Sequence, residues 1–195
     1  MANWLVSISL TADRSPQVPR WIAELAAGKP QHIATSRLAF VLPPGYLGYG
    51  LFYGVACSEW FPFEKHAQIL AAGRTAFPKY PASVLAEAPQ FTNAADYCRV
   101  WNVPKAPAAM RQTVHSTIPT LILSGSFDAV TGKVWADAAA AHLRNSRVLV
   151  FPGSGHTVAT SKCAQTVMKS FLQHPGHPDV RCVATVKPPI FVAAP

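Results

Sequence analysis

Charge is scarce in this chain. Only 13% of its 195 residues are Asp, Glu, Lys or Arg, against roughly 25% in ordinary globular domains. What charge there is leans basic, 17 residues against 9 for a formal net charge of +8. No three basic residues stand together, and no nucleic-acid-binding motif occurs. That scatter offers no stripe for a phosphate backbone or an anionic surface, so neither nucleic acid nor membrane is expected as a partner. Long apolar runs of bilayer-crossing length are missing too. Cysteine is sparse: the four at 57, 98, 163 and 182 include no C-x-x-C pair, which argues against a zinc site. No metal and no organic cofactor is expected. An even count permits two disulfides in any of three pairings and leaves four free thiols open as well. One of those pairings is local, 57 with 98 and 163 with 182, and on the chain-entropy model its loops are worth roughly 3–4 kcal/mol apiece.

Apolar residues are plentiful, at 50%, enough for a real core in one domain of this length. The eighteen prolines are about twice the usual share, so long uninterrupted elements are not expected. The opening MANWLVSISLTADR has a short apolar stretch but neither a basic leader nor a small-residue cleavage site, and is not a convincing signal peptide. If the disulfides form, the export signal is expected on a longer parent chain.

The front half reads as helices and loops without a sheet. Pro19 near a first turn and Gly28 past an end predict a short helix over 18–27. FVLPPGYLGYGL, from Phe40, reads as a turn-rich connector. LFYGVACSEW and PFEKHAQILAAGRTAF predict a helical pair over 51–75, broken at Pro62. A third short helix is expected over 81–88, followed by an irregular arm through ADYCRVWNVPKAP.

The back half changes character. Thr120–Ser124 is an apolar run bounded by Pro119 and Gly125, suited to a buried parallel strand. TGKVWADAAAAHLRN predicts an alanine-rich helix that stops at Asn145. Val148–Phe151 predicts a second strand ending at Pro152-Gly153. A helix over 161–173 carries Ala164, Val167, Met168, Phe171 and Leu172 as one apolar stripe. Strand, helix, strand, helix is a βαβα unit with parallel strands. Two such strands alone do not bury both faces, so further strands are expected from elsewhere.

Chemistry enters at the strand ends. Asp128 follows the first strand and His156 follows the second. Ligands of doubly wound sheets bind beyond the carboxyl ends of the strands, where a carboxylate can orient one imidazole nitrogen and leave the other to deprotonate a serine. Gly153 and Gly155 around Ser154 permit the turn that presents the ring. A plainer reading makes Asp128 a cap for the helix after it. Asp137, the rival acid, falls mid-helix and reads as a solvated residue. The remaining histidines, at 32, 66, 115, 142, 174 and 177, show no metal-ligand spacing. In α/β-hydrolase chains the order is nucleophile, acid, histidine, the nucleophile standing in a G-x-S-x-G turn. No serine here has glycine two residues before and two after.

With VACSEW at 55–60, CRVW at 98–101, IPTLILSGSFDAVT at 118–131, FPGSGHT at 151–157 and the spacing of Cys163 to Cys182, the chain resembles the C-terminal portion of the secreted tripeptidyl-aminopeptidase-like α/β hydrolases, over roughly residues 16–190. The resemblance implies a partial α/β-hydrolase fold. Residues 1–115 form a helical, lid-like region, residues 116–195 form a C-terminal βαβα segment carrying the triad acid and histidine, and the N-terminal sheet strands are missing. It implies Asp128 and His156 as catalytic residues and disulfides Cys57–Cys98 and Cys163–Cys182. It implies a substrate-binding role for Glu59, whose carboxylate would hold the terminal ammonium of a peptide. The usual Thr-Pro after the acid is Thr131-Gly132 here.

The expected function is therefore the C-terminal part of a serine peptidase that releases short peptides from free N-termini, secreted in its complete form. Its expected partners are a peptide substrate and the missing N-terminal hydrolase half, which supplies the nucleophile. Without that half the chain is expected to be inactive. Two other readings share these residues: a catalytically inactive relic serving binding or assembly, and a fragment of an esterase.

Overall fold

A computed structural model of the chain describes residues 15–38, 48–87 and 94–193. The opening apolar stretch at 1–14, most of the glycine-rich connector and the last residue of the helix expected over 81–88 lie outside the described residues. The chain divides into two compact units, one of residues Asn3–Arg37 with Thr113–Pro195 and one of Leu38–Gln112. No helix among the described residues is long and apolar enough to cross a membrane.

The Leu38–Gln112 unit is helical. Helix α3 (Tyr49–Val55) runs into a wide π-type turn, Ala56–Trp60, and a 3₁₀ turn, Phe61–Phe63. Pro62 stands in the first positions of that 3₁₀ turn, where its missing N–H is tolerated, and the path ends at Glu64, whose backbone is extended. Helices α4 (His66–Ala76) and α5 (Ala82–Glu87) follow, and Leu85 of α5 is buried facing Gly73. Helix α6 (Ala94–Trp101) occupies the segment expected to be an irregular arm. Two tertiary attachments account for it. Cys98 is bonded to Cys57, and Tyr97 and Trp101, one turn apart, both pack on Tyr53 with centroids 5.3 and 6.0 Å away. Ala56 and Cys57 are the buried centre of this contact.

The other unit is α/β. Helix α1 (Val18–Ala26) has proline in its first turn. Its Glu24 is buried between Arg20, at 2.8 Å, and His32, at 2.6 Å. His32 belongs to helix α2 (Gln31–Leu38), an element with no amphipathic stripe to announce it. Strands β1 (Thr120–Gly125) and β2 (Ser146–Phe151) pair in parallel, from Thr120 with Ser146 to Gly125 with Phe151. Helix α7 (Lys133–Ala140) connects them, and helix α8 (Lys162–Gln173) follows β2. Ser161 caps α8 by accepting from the N–H of Ala164 at 3.2 Å.

Phe151, Val158 and Ala164 form the core, with Leu123, Leu149, Cys163, Val183 and Val186 packed around them. The α8 stripe is buried at Ala164 and Val167 but not at Leu172, which is exposed. Strand β1 is half-buried until Ser124 and Gly125, because a two-stranded sheet covers little of its own surface. Cys163 of α8 is bonded to Cys182, and Val192 donates to the carbonyl of Pro16 at 2.9 Å, joining the tail to the N-terminal helices of the same unit.

Candidate active site

The parallel pairing ends both strands at one edge, and the loop beyond each carries one reactive side chain. Asp128 lies three residues after β1 and His156 five after β2. The two loops are sewn together through backbone. Phe127 donates to the carbonyl of Ser154 at 3.0 Å, Ser126 donates its N–H to that of Phe151 at 3.1 Å, and the Ser126 hydroxyl accepts from the N–H of Gly153 at 2.7 Å. Gly153 has φ +67°, the left-handed region that suits glycine. Gly155 does not share that need; among the glycines with positive φ only Gly28 and Gly153 are found in the described residues.

Within this frame Nδ1 of His156 is 3.0 Å from Oδ2 of Asp128. The Asp128 side chain is only 4% exposed, whereas that of His156 is 39% exposed. The acid is therefore sheltered and the base is reachable. Asp128 uses its two oxygens differently. Oδ1 accepts from the N–H groups of Val130 and Thr131 at 2.8 and 2.9 Å, closing a local turn. Oδ2 accepts from the Thr131 hydroxyl at 2.9 Å and faces the imidazole. The local turn and the partnership with histidine coexist, and α7 takes Gly132, not Asp128, as its N-terminal flank.

Burial pushes the Asp128 carboxyl upward, but hydrogen bonds from the backbone of Thr131 and Val130, from His156 and from the Thr131 hydroxyl outweigh it. The net effect is a pKa below the ordinary aspartate value. An ionised carboxylate only accepts, so Nδ1 carries the hydrogen it shares with Oδ2. In the neutral imidazole the lone pair then lies on Nε2, which has no hydrogen-bond partner among the described residues. Thr131 also lies 3.1 Å from Nδ1, so its hydroxyl donates to Oδ2 and turns a lone pair toward the imidazole. Sequence reasoning missed Thr131, although its place three residues after Asp128 was the available signal.

Other residues fall elsewhere. Asp137 is exposed on α7 and pairs with Lys133 one turn away. Glu59 stands half-buried on the π-type turn of the Leu38–Gln112 unit, and its carboxylate has no hydrogen bond or ion pair among the described residues. His174 and His177 flank a turn closed by their own backbone at 3.1 Å. Among the described residues no three His, Cys, Asp or Glu side chains cluster as metal ligands.

The arrangement has the parts of a proton-transfer pair: a sheltered, ionised acid, a fixed tautomer and an open basic nitrogen. The family model described as TAP-like protein, among the α/β hydrolases, matches residues 82–182, a span that includes Asp128 and His156. No curated protein and no solved structure shows a significant match.

Proposed function

This chain belongs to the TAP-like family of α/β hydrolases, and from that premise we propose that it is the C-terminal part of a serine peptidase that releases short peptides from free N-termini. The observation that carries the proposal is the 3.0 Å contact of His156 Nδ1 with Asp128 Oδ2 beyond two parallel strand ends. In the complete enzyme a serine hydroxyl attacks the scissile carbonyl while Nε2 of His156 takes its proton. Asp128 stabilises the imidazolium, which then gives that proton to the departing amine. Water, deprotonated by the same nitrogen, hydrolyses the acyl-enzyme and returns the serine.

The serine and the oxyanion hole come from polypeptide other than these residues, since no serine here stands in a G-x-S-x-G turn. Additional sheet strands come with them. Both strands are edge strands among the described residues, Ser124 Oγ is buried with no hydrogen-bond partner among them, and Val134 and Trp135 of α7 stand 72% and 65% exposed. Buried polar groups are normally paired and large apolar side chains normally covered, so these features favour a fold completed by further chain. Glu59 supplies the carboxylate that recognises the substrate's free ammonium. The two disulfides are compatible with secretion of the complete enzyme.

The test joins this chain to a hydrolase half carrying a G-x-S-x-G turn and measures release of a chromophore from a tripeptidyl anilide. Turnover that disappears in His156→Ala supports the peptidase. Turnover of simple esters with none of the anilide would move the reading to an esterase, and inactivity of the joined protein toward both would leave a binding relic. Hydrolysis by the 195-residue chain alone would overturn the division of the triad.

A further inference from the structure

At the opposite end of the sheet from Asp128 and His156, the segments that lead into β1 and β2 line an open, solvent-exposed cleft. We propose that this cleft binds an oxyanion of the phosphate or sulfate class. Its volume is about 590 Å³, and its lining is His115, Ser116, Thr117, Ala141, His142 and Arg144. The two segments are held together by backbone. Ser116 and Leu143 form an isolated parallel bridge, with Ser116 donating to the carbonyl of His142 at 3.3 Å and accepting from the N–H of Arg144 at 3.0 Å. That bridge brings together two imidazoles 27 positions apart in the chain, their ring centroids 5.0 Å apart at 77°.

The chemistry of the lining selects the ligand. Arg144 has no ion-pair partner among the described residues, and no Asp or Glu lines the cleft. A guanidinium presents a fork of donors suited to two oxygens of one phosphate or sulfate, and imidazole N–H groups add donors beside it. The Ser116 hydroxyl already accepts from the N–H of Ile118 at 3.0 Å, which leaves its own O–H to donate. A metal cation is disfavoured, because Arg144 repels it and two imidazoles with no carboxylate or thiolate fall short of a ligand set. The volume lies within the roughly 300–1,000 Å³ of small-molecule sites, so there is room for an organic group esterified to the oxyanion.

The experiment is an amide-resolved NMR titration of the whole chain with inorganic phosphate and, separately, with phenyl phosphate. Saturable shifts are expected at residues 115–117 and 141–144. The affinity should fall about tenfold or more in Arg144→Gln, be partly kept in Arg144→Lys, and fall again in the His115→Asn, His142→Asn double variant. Tighter binding of phenyl phosphate identifies an organic ester as the ligand, and equal affinity identifies the free ion. No saturable shift at these residues, or binding unchanged in an Arg144→Gln protein whose remaining spectrum is native, overturns the proposal. His156→Ala should leave this binding untouched, which separates the cleft from the hydrolase reading.

Discussion

Gly125 and Ser154 meet so closely, backbone to backbone, that a Cβ added to Gly125 would overlap the carbonyl oxygens of Ser154 and Gly155. This contact couples the last residue of β1 to the loop that carries His156, and therefore sets the spacing of the acid and the base. The Ser154 carbonyl is held in place, because it accepts from the N–H of Phe127 at 3.0 Å. Gly125→Ala should destabilise the α/β unit by about 1–3 kcal/mol, the usual range for overpacking a tight site. It should also separate His156 from Asp128. Urea denaturation checks the first effect, and loss of the hydrogen-bonded Nδ1 proton signal in the NMR spectrum checks the second.

The Thr131 hydroxyl touches both members of the pair, at 2.9 Å from Asp128 Oδ2 and 3.1 Å from His156 Nδ1. Thr131→Val removes that hydroxyl but keeps the backbone N–H that serves Oδ1. Because one of the bonds lowering the Asp128 pKa is lost, its carboxyl should titrate at a higher pH in the variant. The stability cost should stay within about 1.5 kcal/mol, since the side chain is solvent-exposed and the bond is to a charged acceptor. Thr131→Ser should restore the wild-type titration. Carboxyl ¹³C shifts followed against pH read all three proteins.

Asp128 also fixes the acid limb of stability. Its folded pKa lies below the ordinary value, so the folded state binds fewer protons than the unfolded one in that interval. The stabilisation is complete above the unfolded pKa, about 3.9, and is lost as pH falls through the lower folded value. Asp179 acts with the same sign. Hydrogen bonds from the Arg181 side chain and backbone hold it down to about 2, but it is exposed and its share is screened by solvent. Denaturation midpoints measured from about pH 6 to about pH 2 should therefore fall less steeply in Asp128→Asn than in wild type. Asp179→Asn should change the slope less. Equal slopes in wild type and Asp128→Asn would contradict the assignment.

The βαβα unit and its two reactive side chains were legible because their signals are local. The runs before Gly125 and Pro152 are uninterrupted, and the residues following strand ends can be counted off the sequence. What was not legible depends on contacts between distant residues. Helix α6 reads as an irregular arm until Cys98 is tied to Cys57 and Tyr97 and Trp101 settle on Tyr53. The alanine-rich run does propagate a helix, but α7 stops at Ala140, short of the expected Asn145. Leu143 is instead drawn into its bridge with Ser116, and the Asn145 side chain donates to the carbonyl of Thr117 at 2.6 Å. The same bridge creates the His115–His142 contact, which no spacing rule would find. Asp128 reads in sequence as a cap for the following helix or as a partner of His156. It does not cap α7, whose N-cap is Gly132, but one of its oxygens closes a local turn while the other faces the imidazole.

The two disulfides close loops of different length, with sequence separations of 41 for Cys57–Cys98 and 19 for Cys163–Cys182. On the chain-entropy model, removing them costs about 4 and about 3 kcal/mol. Each lies within one unit, so the losses should appear in different places. Cys163→Ala with Cys182→Ala should lower hydrogen-exchange protection in α8 and β2 while sparing α3 and α6. Cys57→Ala with Cys98→Ala should do the reverse, and α6, which loses one of its two attachments with that bond, should lose protection first.

The role proposed for Glu59 makes recognition of the substrate separable from chemistry on it. An unpaired carboxylate that holds a terminal ammonium contributes one charge-assisted hydrogen bond, worth about 1.5–3 kcal/mol. Glu59→Gln keeps the shape and removes the charge, so in the completed enzyme KM for a free tripeptidyl anilide should rise roughly tenfold to a hundredfold. The maximal rate should change much less, because the proton transfer at His156 is untouched. An N-acetylated peptide offers no ammonium and should be turned over equally by wild type and variant. That comparison is the decisive one: a structural role for Glu59 would weaken both substrates alike, whereas ammonium recognition penalises only the free amine.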